Sequence, residues 1–298
     1  MNTSNFQNNV TSKWIALSAG LAITAVGAIA PSAEAATFSL DFDEGANGGN
    51  ILYNSDGTLQ GNQWADTLGV TISANSNRIG SVGLLNTYNT DRGGRDNDLR
   101  TGGNMRGTVS QGNVLIIQEE HSENISGGKY VADDEGQGGS INFGFDSAIA
   151  LQSFSMLDID DNNHNHRNRI TVTGTNADSS FDIDVDKLIN DHKSANGNSQ
   201  GSTFTRDGVT ITQVGKKRGN NSMYQFDLDE TYFASMRFND VSFKYPGSGA
   251  ISGIEWRTID PDAPVDIPEP SVVGGLLMIG FVGVRKRLKS NQQIAEAA

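Results

Sequence analysis

The run Phe181-Asp182-Ile183-Asp184-Val185-Asp186 alternates apolar and acidic residues without a break. A period of two puts Phe181, Ile183 and Val185 on one face and three aspartates on the other, the pattern of a half-buried antiparallel strand. Similar short runs recur at 37–42, 69–74, 113–118, 140–145, 149–157, 169–174, 208–214, 224–228, 236–245 and 250–257. Clusters of Gly, Asn and Asp separate them, as turns require. Helical periodicity is weak, with only a short helical turn expected at 187–193. No strand–helix–strand rhythm is present. The spacing therefore predicts an all-β chain, an antiparallel β-sandwich. Glycine supplies 35 of 298 residues, against about 7% in an average protein. That excludes a long helical bundle or coiled coil.

Two stretches, 86–110 and 192–202, carry little apolar pattern and read as long loops. Residues 260–267 contain Pro261 and Pro264 and read as an extended linker. The chain has no cysteine, so thiol catalysis, thiolate metal sites and a disulfide framework are excluded. Its net charge is −13, which repels phosphate backbones and argues against nucleic-acid binding.

Both ends read as targeting segments. Lys13 precedes an apolar run over 14–30, Pro31 breaks it, and Ala33-Glu34-Ala35 gives a small-x-small cleavage site between Ala35 and Ala36. Residues 1–35 are thus expected to be a signal peptide removed by signal peptidase. The other end holds Pro268-Glu269-Pro270, an apolar run over 272–284 and the cluster Arg285-Lys286-Arg287-Leu288-Lys289. As a helix the apolar run is about 20 Å long at 1.5 Å per residue. A hydrocarbon core is about 30 Å thick, so the run spans poorly and suits a temporary hold at the inner membrane. Five basic residues but only three acidic ones lie outside 36–267, so the segment between the ends is more acidic than the whole chain.

These three C-terminal parts, in this order over 268–298, resemble the PEP-CTERM sorting signal of Gram-negative bacteria. The resemblance implies recognition by an exosortase-type protease, removal of the tail, and release or attachment at the surface of cells that make exopolysaccharide. The tail 290–298 is longer than that family's usual abrupt basic end. Over 36–259, Phe42-Asp43-Glu44-Gly45, Asn113-Val114-Leu115-Ile116-Ile117-Gln118-Glu119, Asp133-Asp134-Glu135-Gly136-Gln137-Gly138-Gly139 and Gly247-Ser248-Gly249-Ala250-Ile251 resemble the β-rich exported domain found ahead of many such signals. That domain is similar to galactose-binding-like jelly rolls, which implies a jelly-roll-like sandwich with a structural or glycan-interacting role. Ser252 stands where that family often carries an aspartate.

Candidate chemistry is sparse. Calcium needs six to eight oxygens, several of them carboxylate. Asp158-Ile159-Asp160-Asp161-Asn162 opens like an EF-hand loop but has Asn163 at the sixth position and Arg169 at the twelfth. A jelly roll gathers ligands distant in sequence instead, and Asp43 and Glu44 with Asp133, Asp134 and Glu135 are the candidate Ca²⁺ ligands. His164 and His166 read as part of a polar turn, because zinc sites need three or more ligands. For glycan contact the candidates are Trp64, read as exposed in 61–66, with Tyr53, Tyr88 and Tyr130 in loops, and Arg92, Arg95, Arg100 and Arg106. These arginines can make charge-assisted bonds to an acidic exopolysaccharide. There is no Gly-x-Ser-x-Gly, Walker loop or His-Glu-x-x-His, so no catalytic residues are assigned. The expectation is an exported surface or extracellular-matrix protein and not an enzyme. The alternative is a secreted calcium-dependent polysaccharide-active enzyme.

Overall fold

The structure is a computed structural model that describes residues 36–91, 97–159, 170–176, 180–216, 222–233 and 236–259. The expected signal peptide, linker and sorting signal, with Ala35, Pro268, Glu269 and Pro270, lie outside the described residues, as do His164 and His166. Among the described residues, no helix is long and apolar enough to cross a membrane.

The described chain is mostly β. Its strands are β1 (Thr37–Leu40), β2 (Val70–Ser76), β3 (Leu84–Asn89), β4 (Asn113–Gln118), β5 (Ile125–Ser126), β6 (Lys129–Tyr130) and β7 (Gly139–Leu157). They continue as β8 (Thr171–Thr175), β9 (Ser180–Asp184), β10 (Thr203–Arg206), β11 (Val209–Lys216), β12 (Ser222–Leu228), β13 (Phe238–Tyr245) and β14 (Ala250–Thr258). Three α-helices intervene: α1 (Ala65–Leu68), α2 (Val185–Asn196) and α3 (Glu230–Phe233). All strands but the small β5–β6 hairpin join one antiparallel sheet.

Strand β7 organises that sheet. The sequence reads as two strands, 140–145 and 149–157, but the chain runs through as one strand of 19 residues. Its first half pairs with β2 on one side and β13 on the other. Its second half pairs with β14 and β12. The order is thus β2–β7–β13–β8–β9 in one leaf and β10–β11–β12–β7–β14 in the other. Beyond β14, β4 pairs with its start and β1 with its end, and β3 lies outside β4.

The two leaves face each other across an aromatic core. Phe154 of β7 stacks on Phe226 of β12 at 4.7 Å and meets Phe243 of β13 edge-on at 5.2 Å. Phe145 lies 5.3 Å from Trp256 of β14. All five rings are buried. This is the arrangement expected of an all-β sandwich, with inward residues of both leaves filling one core.

Three local readings need correction. Stretch 86–110 is not all loop, since β3 carries Tyr88 into the interior, where it packs with Leu99, Met105, Val114 and Ile116 in a second small core. Of the three aspartates at 182–186, only Asp182 and Asp184 lie on a strand. Asp184 caps α2 by accepting the Lys187 backbone N–H at 2.9 Å, and Asp186, inside the helix, accepts the Ile170 N–H at 2.9 Å. The helical turn expected at 187–193 is a 12-residue helix that buries Val185, Leu188, Ile189 and His192. That spacing is one face of an α-helix.

Candidate functional site

The sequence candidates are placed as follows. Asp43 lies just past β1, and its Oδ1 accepts the Asn113 N–H at 2.6 Å, at the start of β4. Glu44 follows Asp43 and is exposed, whereas Asp133, Asp134 and Glu135 sit at the far end of β4. Asp134 bridges to Gln118, and the Asp133 carbonyl accepts the Glu119 N–H at 2.9 Å. Five residue steps along a strand separate the two groups by about 17 Å at 3.3–3.4 Å per residue. No single ion reaches both, so the structure does not bring the proposed calcium ligands together.

Each acid group has a local task instead. Asp134, buried, accepts the Gly249 N–H at 2.9 Å. Glu135, also buried, accepts the Gln137 N–H at 3.0 Å and the Ser76 hydroxyl at 3.3 Å. Arg78 sits 2.9 Å from Glu119 and 3.9 Å from Glu135. Burial pushes the Tyr245 phenol well above its usual range, and the Asp134 carboxylate adds to the shift. Among the described residues, no group of three His, Cys, Asp or Glu side chains is placed to hold a metal ion. Asp134→Ala orphans the buried Gly249 N–H, an expected loss of about 1–3 kcal/mol. Melting should show the same loss in EDTA and in millimolar Ca²⁺. A loss seen only with Ca²⁺ would point to a metal role.

Trp64 is not the exposed platform that its neighbourhood predicts. It is 1% exposed, meets Phe42 edge-on at 6.2 Å and donates its indole N–H to the Glu44 carbonyl at 3.2 Å. Tyr88 is buried, whereas Tyr53 is exposed and its hydroxyl bonds Thr87 Oγ1 at 2.7 Å. Arg92 and Arg95 lie outside the described residues. Arg100 is half-buried, with its Nε fully enclosed. Arg106 is exposed, and its backbone pairs both ways with Lys216. The arginine cluster is therefore not a single exposed patch over its described part.

A groove of about 320 Å³ opens elsewhere, between β9, the start of α2, the β10–β11 hairpin and α3. Phe181, Ile183, Leu188, Val209, Phe233 and Met236 form its apolar surface. The hairpin is a two-residue turn, with Arg206 paired to Val209 and φ of 49° at Asp207 and 76° at Gly208. Asp-Gly suits a turn with positive φ at both positions. On that turn rests Tyr232 of α3. A Cβ added at Gly208 would lie 2.6 Å from its ring, so glycine serves both the turn and the contact.

The rim carries charge of both signs. Arg206 bonds Asp191 through Nη1 and Asp207 through Nε at 3.2 Å. Lys187 bonds the same Asp191 oxygen at 3.0 Å, one helical turn along α2. The Lys187 ammonium, joined by the Arg206 guanidinium, holds the Asp191 carboxyl below its usual range. Asp191, with Asp207, raises Arg206 in turn. A carboxyl lowered in this way favours the folded state at neutral pH, and the gain is lost as pH falls below the usual 3.8. Asp182, exposed on β9, completes the rim.

Compared with known protein families, curated proteins and solved structures, the chain matches none.

Proposed function

We propose that this chain is exported through the inner membrane, processed at both ends, and placed at the cell surface or in the extracellular matrix. There its jelly-roll-like sandwich has a structural or glycan-interacting role. One observation carries the reading. The domain's two exits are neighbours, because the Thr258 N–H bonds the Ala36 carbonyl at 3.0 Å where β14 runs beside β1. β1 begins at Thr37, just past the expected signal-peptidase site, and β14 ends at Thr258, just before the expected linker. Cuts at those places remove leader and tail and leave every strand pairing intact. A domain built this way can lose both ends to a signal peptidase and an exosortase-type protease without losing a pairing of its described strands.

The proposed role is binding without turnover. It is tested by adding the protein to exopolysaccharide from its host and sedimenting the polymer. The protein should sediment with the polymer, and reducing ends should not increase. Release of reducing sugar would instead make the domain an enzyme.

A further inference from the structure

We propose that the groove between β9, α2, α3 and the β10–β11 hairpin binds an uncharged stretch of polysaccharide, with a sugar ring lying on Tyr232. This rests on the glycan-interacting reading above and names its site and ligand class. Tyr232 is 53% exposed, unusual for a large aromatic side chain beside an apolar groove. Gly208 lies against the ring and Phe233 meets it at 5.0 Å and 62°, so the part that faces solvent is held in place. Its backbone N–H bonds the Asp229 carbonyl at 3.1 Å, which fixes the turn that carries it. A rigid aromatic face offers contact area at low entropic cost. The apolar C–H face of a pyranose ring fits such a surface.

The rim decides the charge of the ligand. Sugar hydroxyls donate and accept at once. Here Arg206 and Lys187 can donate and Asp182 and Asp207 can accept, so both kinds of group line the opening. A purely basic rim would select an anion and a purely acidic one a cation. Both cations are already compensated by Asp191, and Asp182, Asp184 and Asp207 leave carboxylate in excess. An acidic polysaccharide would set its own carboxylates against them. An uncharged one meets donors and acceptors that its hydroxyls can satisfy. Because Asp191 and Asp207 hold the Arg206 fork in place, little side-chain freedom remains to be lost on binding. The volume sits at the low end of small-ligand sites, about 300–1,000 Å³, which suits a short stretch of chain.

Affinity electrophoresis of the full chain tests this, in gels cast with dextran, mannan, galactan, xylan or alginate. At least one neutral polymer should retard the protein. Tyr232→Ala and Asp182→Asn should each weaken that retardation at least tenfold, and Tyr232→Phe should keep most of it. Melting curves of Tyr232→Phe and Asp182→Asn should overlay the parent, and Tyr232→Ala, which gives up its packing on Gly208 and Phe233, should still melt as a folded domain. Retardation by a neutral polymer that survives Tyr232→Ala would overturn the groove assignment. Retardation by alginate alone, abolished by Arg100→Ser and Arg106→Ser, would also overturn it while upholding a glycan role. No retardation by any polymer would overturn both.

Discussion

Phe154→Ala is expected to destabilise the domain by about 3–5 kcal/mol, the usual cost of deleting a buried aromatic ring. Phe154 is 1% exposed and touches both leaves, stacked on Phe226 and edge-on to Phe243. Its loss opens a cavity where the second half of β7 meets the opposite leaf. Stacked and edge-on aromatic pairs add about 0.5–1.5 kcal/mol each beyond the area they bury. For a domain of this size each kcal/mol moves the melting temperature by about 2–4 °C. A calorimetric scan should therefore show a drop of about 6–20 °C. A drop of a degree or two would mean that the leaves do not close on each other through this ring.

Trp64→Ala is expected to cost a similar amount, about 3–5 kcal/mol. The side chain is 1% exposed, packs against Phe42 and satisfies the Glu44 carbonyl through its indole N–H. Two losses combine: apolar burial and a hydrogen bond worth about 1 kcal/mol. Chemical denaturation should show a large fall in midpoint, with polysaccharide retardation unchanged where the variant is folded. Weakened retardation at full stability would return Trp64 to the role of ligand platform expected of it in 61–66.

Much of the sheet is legible in the sequence because most of its strands bury one face. Asn113–Gln118 is a strand with the bounds its apolar run predicts. The mixed cases fail for identifiable reasons. Val185 continues the period of two set by Phe181 and Ile183, yet it also begins the 185, 188, 189, 192 stripe of α2. Asp184 ends the strand by capping the helix, and a carboxylate that caps looks in sequence like one that faces water. The β10–β11 hairpin hides because β10 is a short edge strand with a half-exposed pattern. Asp207-Gly208 was the available signal for it, and with it the groove could have been suspected. Tyr232 carries no local mark at all. Its seat depends on Gly208, which lies 24 positions earlier in the chain. Acidic residues mislead in a different way. Asp43 and Asp134 look like ligands in an Asp-rich chain, but each is held by a backbone N–H.

As proposed, the sandwich is cargo between two removable ends. Intact mass of the protein recovered from its native host tests it most directly. The account predicts a product that begins at Ala36 and lacks the apolar run over 272–284 with its basic cluster, found in the extracellular or surface fraction. Full-length chain from Met1 to Ala298 in the inner membrane would contradict it.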